Sequence, residues 1–88
     1  MVSQFVTIKN ATGLHLRPAG FFCETAMKFK SKITFKTDNN YEANAKSVLS
    51  VLGACVKSGE RIEISCEGED EEEALATMVK EIESGLGE

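Results

Sequence analysis

The chain predicts an α+β fold, an open-faced β-sandwich in the order β-α-β-β-α-β-α. Its four-stranded, mainly antiparallel sheet carries helices on one face. Three observations predict this. Apolar residues alternate with polar ones in separate short stretches, so each strand has one buried and one wet face, the habit of antiparallel sheets. Stretches at helical spacing stand between and after them. The length, 88 residues, leaves room for one modest core and no second lobe.

QFVTIKN opens the fold as a strand, with Val6 and Ile8 on one face and Phe5 and Thr7 on the other. ATGLH is a loop. Pro18 suits the first turn of a helix, where its missing N–H has no partner to lose. Phe22, Ala26 and Phe29 follow at helical spacing with Ala19 and Cys23 beside them, which predicts a helix near 17–28 that buries one stripe. Gly20 inside it costs about 1 kcal/mol against alanine and marks a place where something must come close.

KITFKT alternates as a second strand, Ile33 and Phe35 inward, and Asp38–Asn40 is turn chemistry because both residue types tolerate left-handed backbone. YEAN is a short returning strand. KSVLSVLGA reads as a short helix with Ser47 at or next to its N-cap and Gly53 near its end. ERIEISCEG is the last strand, with Ile62, Ile64 and Cys66 on one face and Arg61, Glu63 and Ser65 on the other. DEEEALATMVKEIESG closes the chain as a helix. Asp70 and Glu73 make a capping-box pattern, the acids suit the positive end of the helix dipole, and Ala74, Leu75, Met78, Val79 and Ile82 form the stripe. The pairing order of the strands is not written in the pattern.

A net charge of −4 argues against a direct, sequence-independent grip on nucleic acid and against adsorption to anionic membrane. No apolar run approaches the roughly 20 residues of a spanning helix, and MVSQFVTIKN lacks the parts of a signal peptide. A cytoplasmic protein is expected. Cys23, Cys55 and Cys66 are widely spaced and form no C-x-x-C, so all three read as small buried or half-buried apolar residues. With a single histidine, a zinc site of four protein ligands is not expected, nor any other cofactor. The acidic EGEDEEE run reads as a solvated loop and helix start.

TGLHLRPAG, Thr12 to Gly20, holds the only histidine and the only proline. A loop histidine is ordinarily just solvated, and an arginine near a helix start is commonplace. The placement nevertheless matters. A helix N-terminus offers unpaired N–H groups and a positive dipole end, both of which attract anions. His15 and Arg17 lie in the junction, Pro18 sets the helix direction and Gly13 lets the chain turn in. Imidazole nucleophile, guanidinium fork and backbone donors together suffice to accept a phosphoryl group. No G-x-x-x-x-G-K-[ST] loop is present, and no second histidine for a relay. Such a chain carries phosphate without taking it from ATP unaided; a partner supplies donor, metal and transition-state clamp.

GLHLRPAG resembles the active-site motif of HPr, the histidine-containing phosphocarrier of the bacterial sugar phosphotransferase system, of the Gram-positive type. The likeness covers residues 1–88 as one HPr-like domain, with AKSVLSVLG in the middle and GLGE at the end. It implies that His15 accepts phosphate at ring Nδ1 from phosphorylated enzyme I, charged by phosphoenolpyruvate, and passes it to the IIA units of sugar permeases. Arg17 steadies the phosphate, helped by backbone N–H groups near Leu16 and Arg17. Leu16 departs from the family, which usually has alanine or threonine there, and bears on partner preference and rate.

Val48, Leu49, Val51 and Leu52 cover more than one stripe of their short helix, so either all four are core or part of them stays exposed as a contact surface. Leu16, Gly20, Phe21, Val48, Leu49 and Leu52 are the candidate partner contacts. Ser47 by itself is a helix cap. A phosphate there would suit the positive helix end and add about two negative charges beside an apolar patch. The resemblance implies that Ser47, in Lys46-Ser47-Val48, is phosphorylated by HPr kinase/phosphorylase, and that the modified form slows sugar uptake and acts with catabolite control protein A. Ser50 departs from a commonly small, often glycine position. A monomer is expected. Two alternatives stay open: an HPr-like regulatory binding module acting mainly through Ser47 and docking, and a small ligand-sensing or metal-carrier domain of another kind.

Overall fold

The structure is a computed structural model that describes residues 1–86. Its elements run β1 (Val2–Thr7), α1 (Leu16–Ala26), β2 (Lys32–Thr37), β3 (Glu42–Asn44), α2 (Val48–Gly53), β4 (Arg61–Glu67) and α3 (Glu71–Glu83). The strands form one sheet in the order β1-β4-β2-β3, every neighbouring pair antiparallel. β4 thus runs through the middle, with Val6 opposite Ile62 on one side and Phe35 opposite Ile64 on the other.

The alternation in the sequence becomes the two faces of this sheet. Val6, Ile33, Phe35, Ala43, Ile62, Ile64 and Cys66 are buried under the helices. Phe22 of α1 meets Phe35 of β2 edge-on, ring centroids 5.5 Å apart. Ala74, Met78, Val79 and Ile82 of α3 complete the core, and Leu75 lies at its margin. On the open face the Arg61 guanidinium lies 4.5 Å over the ring of Phe5, and the hydroxyls of Ser3 and Ser65 pair across the strands. Burial holds the Cys66 thiol protonated, its pKa pushed up to about 11, aided by the nearby Asp70 and Glu71 charges.

Several expectations are corrected. The first helix begins at Leu16 and ends at Ala26, earlier than 17–28 at both ends, because His15 takes the N-cap and tighter turns replace the helix after it. Phe29 therefore packs at the core margin from outside the helix. The first strand occupies Val2–Thr7, so Ile8 is buried from the loop beyond it. Cys23 and Cys66 are buried, but Cys55 is exposed, directly after the C-cap of α2 with φ +52°. Left-handed backbone there turns the chain out of the helix, and the side chain goes outward with it.

The capping box does not form. Asp70 is the N-cap of α3 but makes no side-chain cap bond. Its carboxylate instead accepts the N–H groups of Lys30 and Ser31, each at 2.9 Å, and the Ser31 hydroxyl. The hydroxyl and these two amides hold its pKa down at about 2. Glu71 accepts the Gly68 N–H at 3.1 Å, and that bond lowers its pKa too. Of the terminal GLGE stretch, Gly87 and Glu88 lie outside the described residues.

Candidate functional site

The segment leading into α1 is held at several points. Ile8 exchanges backbone bonds with the β4 approach: its N–H donates to Glu60 O at 2.9 Å and its carbonyl accepts the Gly59 N–H at 2.8 Å. Gly13 has φ +67°, and a Cβ built there would lie 2.5 Å from the Val56 carbonyl oxygen. Only glycine fits both conditions. The Leu14 N–H donates to that same carbonyl at 2.9 Å, and the Leu14 side chain is buried.

His15 follows as the N-cap of α1, in extended conformation. Its carbonyl accepts the Ala19 N–H at 2.8 Å, which starts the helix, while its imidazole makes no capping bond and is exposed. Leu16 and Arg17 are the first two helical residues, both exposed, and their N–H groups have no carbonyl within the helix to bond. Pro18, Ala19 and Phe22 are buried and clamp the helix start to the core. The backbone around the ring is thus fixed while the ring faces solvent at a positive helix end.

His15 also borders a shallow depression with Thr12, Leu52, Cys55 and Lys57, where the end of α2 and the loop after it come up beside the α1 start. Sequence reasoning missed Cys55 and Lys57. No local signal marks them, since they border the same depression only through the docking of Leu14 and Gly13 on Val56. Among the described residues no group of three or more histidine, cysteine or acidic side chains is placed to hold a metal ion, and no helix is long and apolar enough to cross a membrane.

Ser47 is the N-cap of α2, half-buried, and its Oγ accepts the Ser50 N–H at 3.3 Å. The Ser50 hydroxyl in turn accepts the Asn44 N–H at 2.9 Å, tying the short helix to β3. Lys46 does not face solvent freely: its ammonium donates to the Phe29 carbonyl at 2.7 Å. Of the four apolar residues in α2 only Val51 is fully buried; Leu49 is 83% exposed, and Val48 and Leu52 lie between. Leu16, 65% exposed, and Phe21, 38%, add apolar surface on α1. A Cβ at Gly20 would meet nothing within 4 Å, so among the described residues the space beside it is open.

The family model described as the phosphorylation site of the phosphotransferase HPr component matches residues 2–84. The solved HPr of Thermoanaerobacter tengcongensis is 45% identical, with a TM-score of 0.95 over 100% of this chain and 98% of that one. The same protein solved as a dimer gives a TM-score of 0.79 at 45% identity, over 100% of both chains. The HPr-like protein Crh of Halalkalibacterium halodurans is 37% identical over 94% of this chain and 98% of its own length. The phosphocarrier protein NPr of Escherichia coli is also 37% identical, over 99% of this chain and 97% of its own. The open antiparallel sheet with three helices, and a family match over residues 2–84 that includes His15, make this chain a member of the HPr phosphocarrier family of the phosphotransferase system.

Proposed function

We propose that the chain, acting as one HPr-like domain over residues 1–88, accepts a phosphoryl group on His15 and hands it on. The observation that carries this is the placement of an exposed imidazole, making no capping bond, at the N-cap of α1, two residues before Arg17. The neutral ring attacks phosphorus through Nδ1. A P–N bond forms as the bond to the donor breaks, and the Nε2 proton stays on the ring. Arg17 and the first-turn N–H groups neutralise charge on the phosphoryl oxygens. The sequence carries no G-x-x-x-x-G-K-[ST] loop to draw phosphate from a nucleotide, which supports a phosphorylated protein as donor, for which the resemblance supplies enzyme I. Acceptors are the IIA units of sugar permeases. Leu16, Gly20, Phe21, Val48, Leu49 and Leu52 supply the contact surface, and the room above Gly20 suits a partner's approach. The chain works in the cytoplasm without a cofactor of its own, as a monomer during transfer.

A second reading rests on Leu49. An 83% exposed leucine on a helix capped by Ser47 is a docking surface that a phosphate at its edge would change. Here Ser47, phosphorylated by HPr kinase/phosphorylase from ATP, regulates docking to a partner such as catabolite control protein A. The similarity to Crh supports this regulatory use.

The experiment is incubation with enzyme I and phosphoenolpyruvate, followed by intact mass and site mapping. We expect one acid-labile phosphate on His15, lost in His15→Ala. Label persisting in His15→Ala sinks the first reading. No transfer at all, with kinase-dependent label on Ser47, favours the second.

A further inference from the structure

We propose that Asn10 is a positioning residue, setting the backbone on which the His15 imidazole receives phosphate. The inference rests on the His15 reading above. Asn10 is 6% exposed, a buried polar residue in the connection between β1 and α1. Its Nδ2 donates to the Gly13 carbonyl, and its own carbonyl accepts the Gly13 N–H at 3.0 Å. One residue therefore grips both sides of Gly13, two positions before His15. That double grip holds the left-handed Gly13 against Val56 and presents the Leu14 N–H to the Val56 carbonyl.

The same side chain leaves its Oδ1 buried without a hydrogen-bond partner. A buried acceptor that bonds nothing works against the folded state. A residue chosen for stability alone at this point has no reason to carry one. Its Nδ2 bond is the compensating gain, and what that bond fixes is the loop that delivers His15. The imidazole itself has no intramolecular capping bond, so the direction of the ring depends on the backbone behind it. Asn10 touches no reacting atom and acts only through Gly13 and Leu14.

The test uses Asn10→Ala and Asn10→Asp in the full chain; the second keeps the side-chain outline but loses the amide donor. Phosphoryl uptake from phosphorylated enzyme I is measured over a range of carrier concentration, alongside amide hydrogen exchange at Gly13 and Leu14, whose N–H groups donate to the Asn10 and Val56 carbonyls. We expect the maximal rate to fall roughly fivefold to fiftyfold, with KM within about twofold because the docking surface is untouched, and faster exchange at both amides. Wild-type rates in both variants overturn the proposal. So does a fall in rate that only tracks loss of folded protein, or failure of both variants to fold, since Asn10 is then a residue of the fold. If the wild-type chain itself takes no phosphate, the His15 reading fails separately; the grip on the loop is then judged by exchange, where unchanged protection at Gly13 and Leu14 overturns it.

Discussion

The carboxylate of Asp70 reaches out of its own helix to the backbone N–H of Ser31, at 2.9 Å. It thereby fastens the start of α3 to the turn between α1 and β2. The folded pKa is about 2 against an ordinary 3.8, so the bond contributes stability above the unfolded value, lost as pH falls from about 4 to about 2. Asp70→Asn should be less stable than the parent at pH 6. Its stability should also vary less between pH 4 and pH 2, as read by urea denaturation across that range. Equal acid sensitivity in both proteins would show that the bonds to Lys30 and Ser31 contribute nothing.

Cys55 holds left-handed backbone, φ +52°, with a side chain that packs nowhere in the core. Replacing it with glycine should stabilise the domain by about 0.5–1 kcal/mol, since L-residues pay roughly 1–2 kcal/mol there and glycine gives some back as chain entropy. Cys55→Ala should give no such gain, because alanine carries the same Cβ. Denaturant midpoints of the three proteins decide it.

Ser47 caps α2 through the Ser50 N–H. Ser47→Ala should cost about 1 kcal/mol in chemical denaturation, and Ser47→Asp much less, because aspartate caps as well as serine does. In phosphoryl-transfer assays the order should change: Ser47→Asp, with its charge beside Leu49, should slow transfer more than Ser47→Ala does.

Leu16 stands beside the imidazole with 65% of its surface exposed and begins its helix without packing on the core. Leu16→Ala should leave stability within about 0.5 kcal/mol. Burying half a leucine against a partner is worth about 1 kcal/mol, so KM for enzyme I should rise roughly fivefold. An unchanged KM would place Leu16 outside the contact surface.

What the sequence disclosed and what it hid divide along one physical line. The inward faces of β2 and β4 were legible because period-two alternation is a local property, and Ile33, Phe35, Ile62, Ile64 and Cys66 are all buried as expected. His15, Arg17 and Pro18 were legible for the same reason: adjacent residues that share one helix start declare themselves. Asp70 was misread because its best hydrogen-bond donors stand 39 and 40 residues away in the chain. Local capping rules weigh only the nearer choice. Cys55 and Lys57 came to the histidine by tertiary docking, and Asn10 by burial in what looked like the end of a strand. None of these three carries a periodic or motif signal. Gly20 was read as a place of close approach, and among the described residues the space beside it is open.

Gly13 sits so close to the Val56 carbonyl that no side chain fits between them. The histidine's position is therefore set by two separate stretches of sequence that must stay in step. A residue added to or removed from the turn between α2 and β4 would displace the Val56 carbonyl and shift the imidazole without touching TGLHLRPAG. Length in that distant turn is thus as strictly constrained as the identity of the residues beside His15, and surveys of tolerated insertions in this chain should find the two segments equally intolerant.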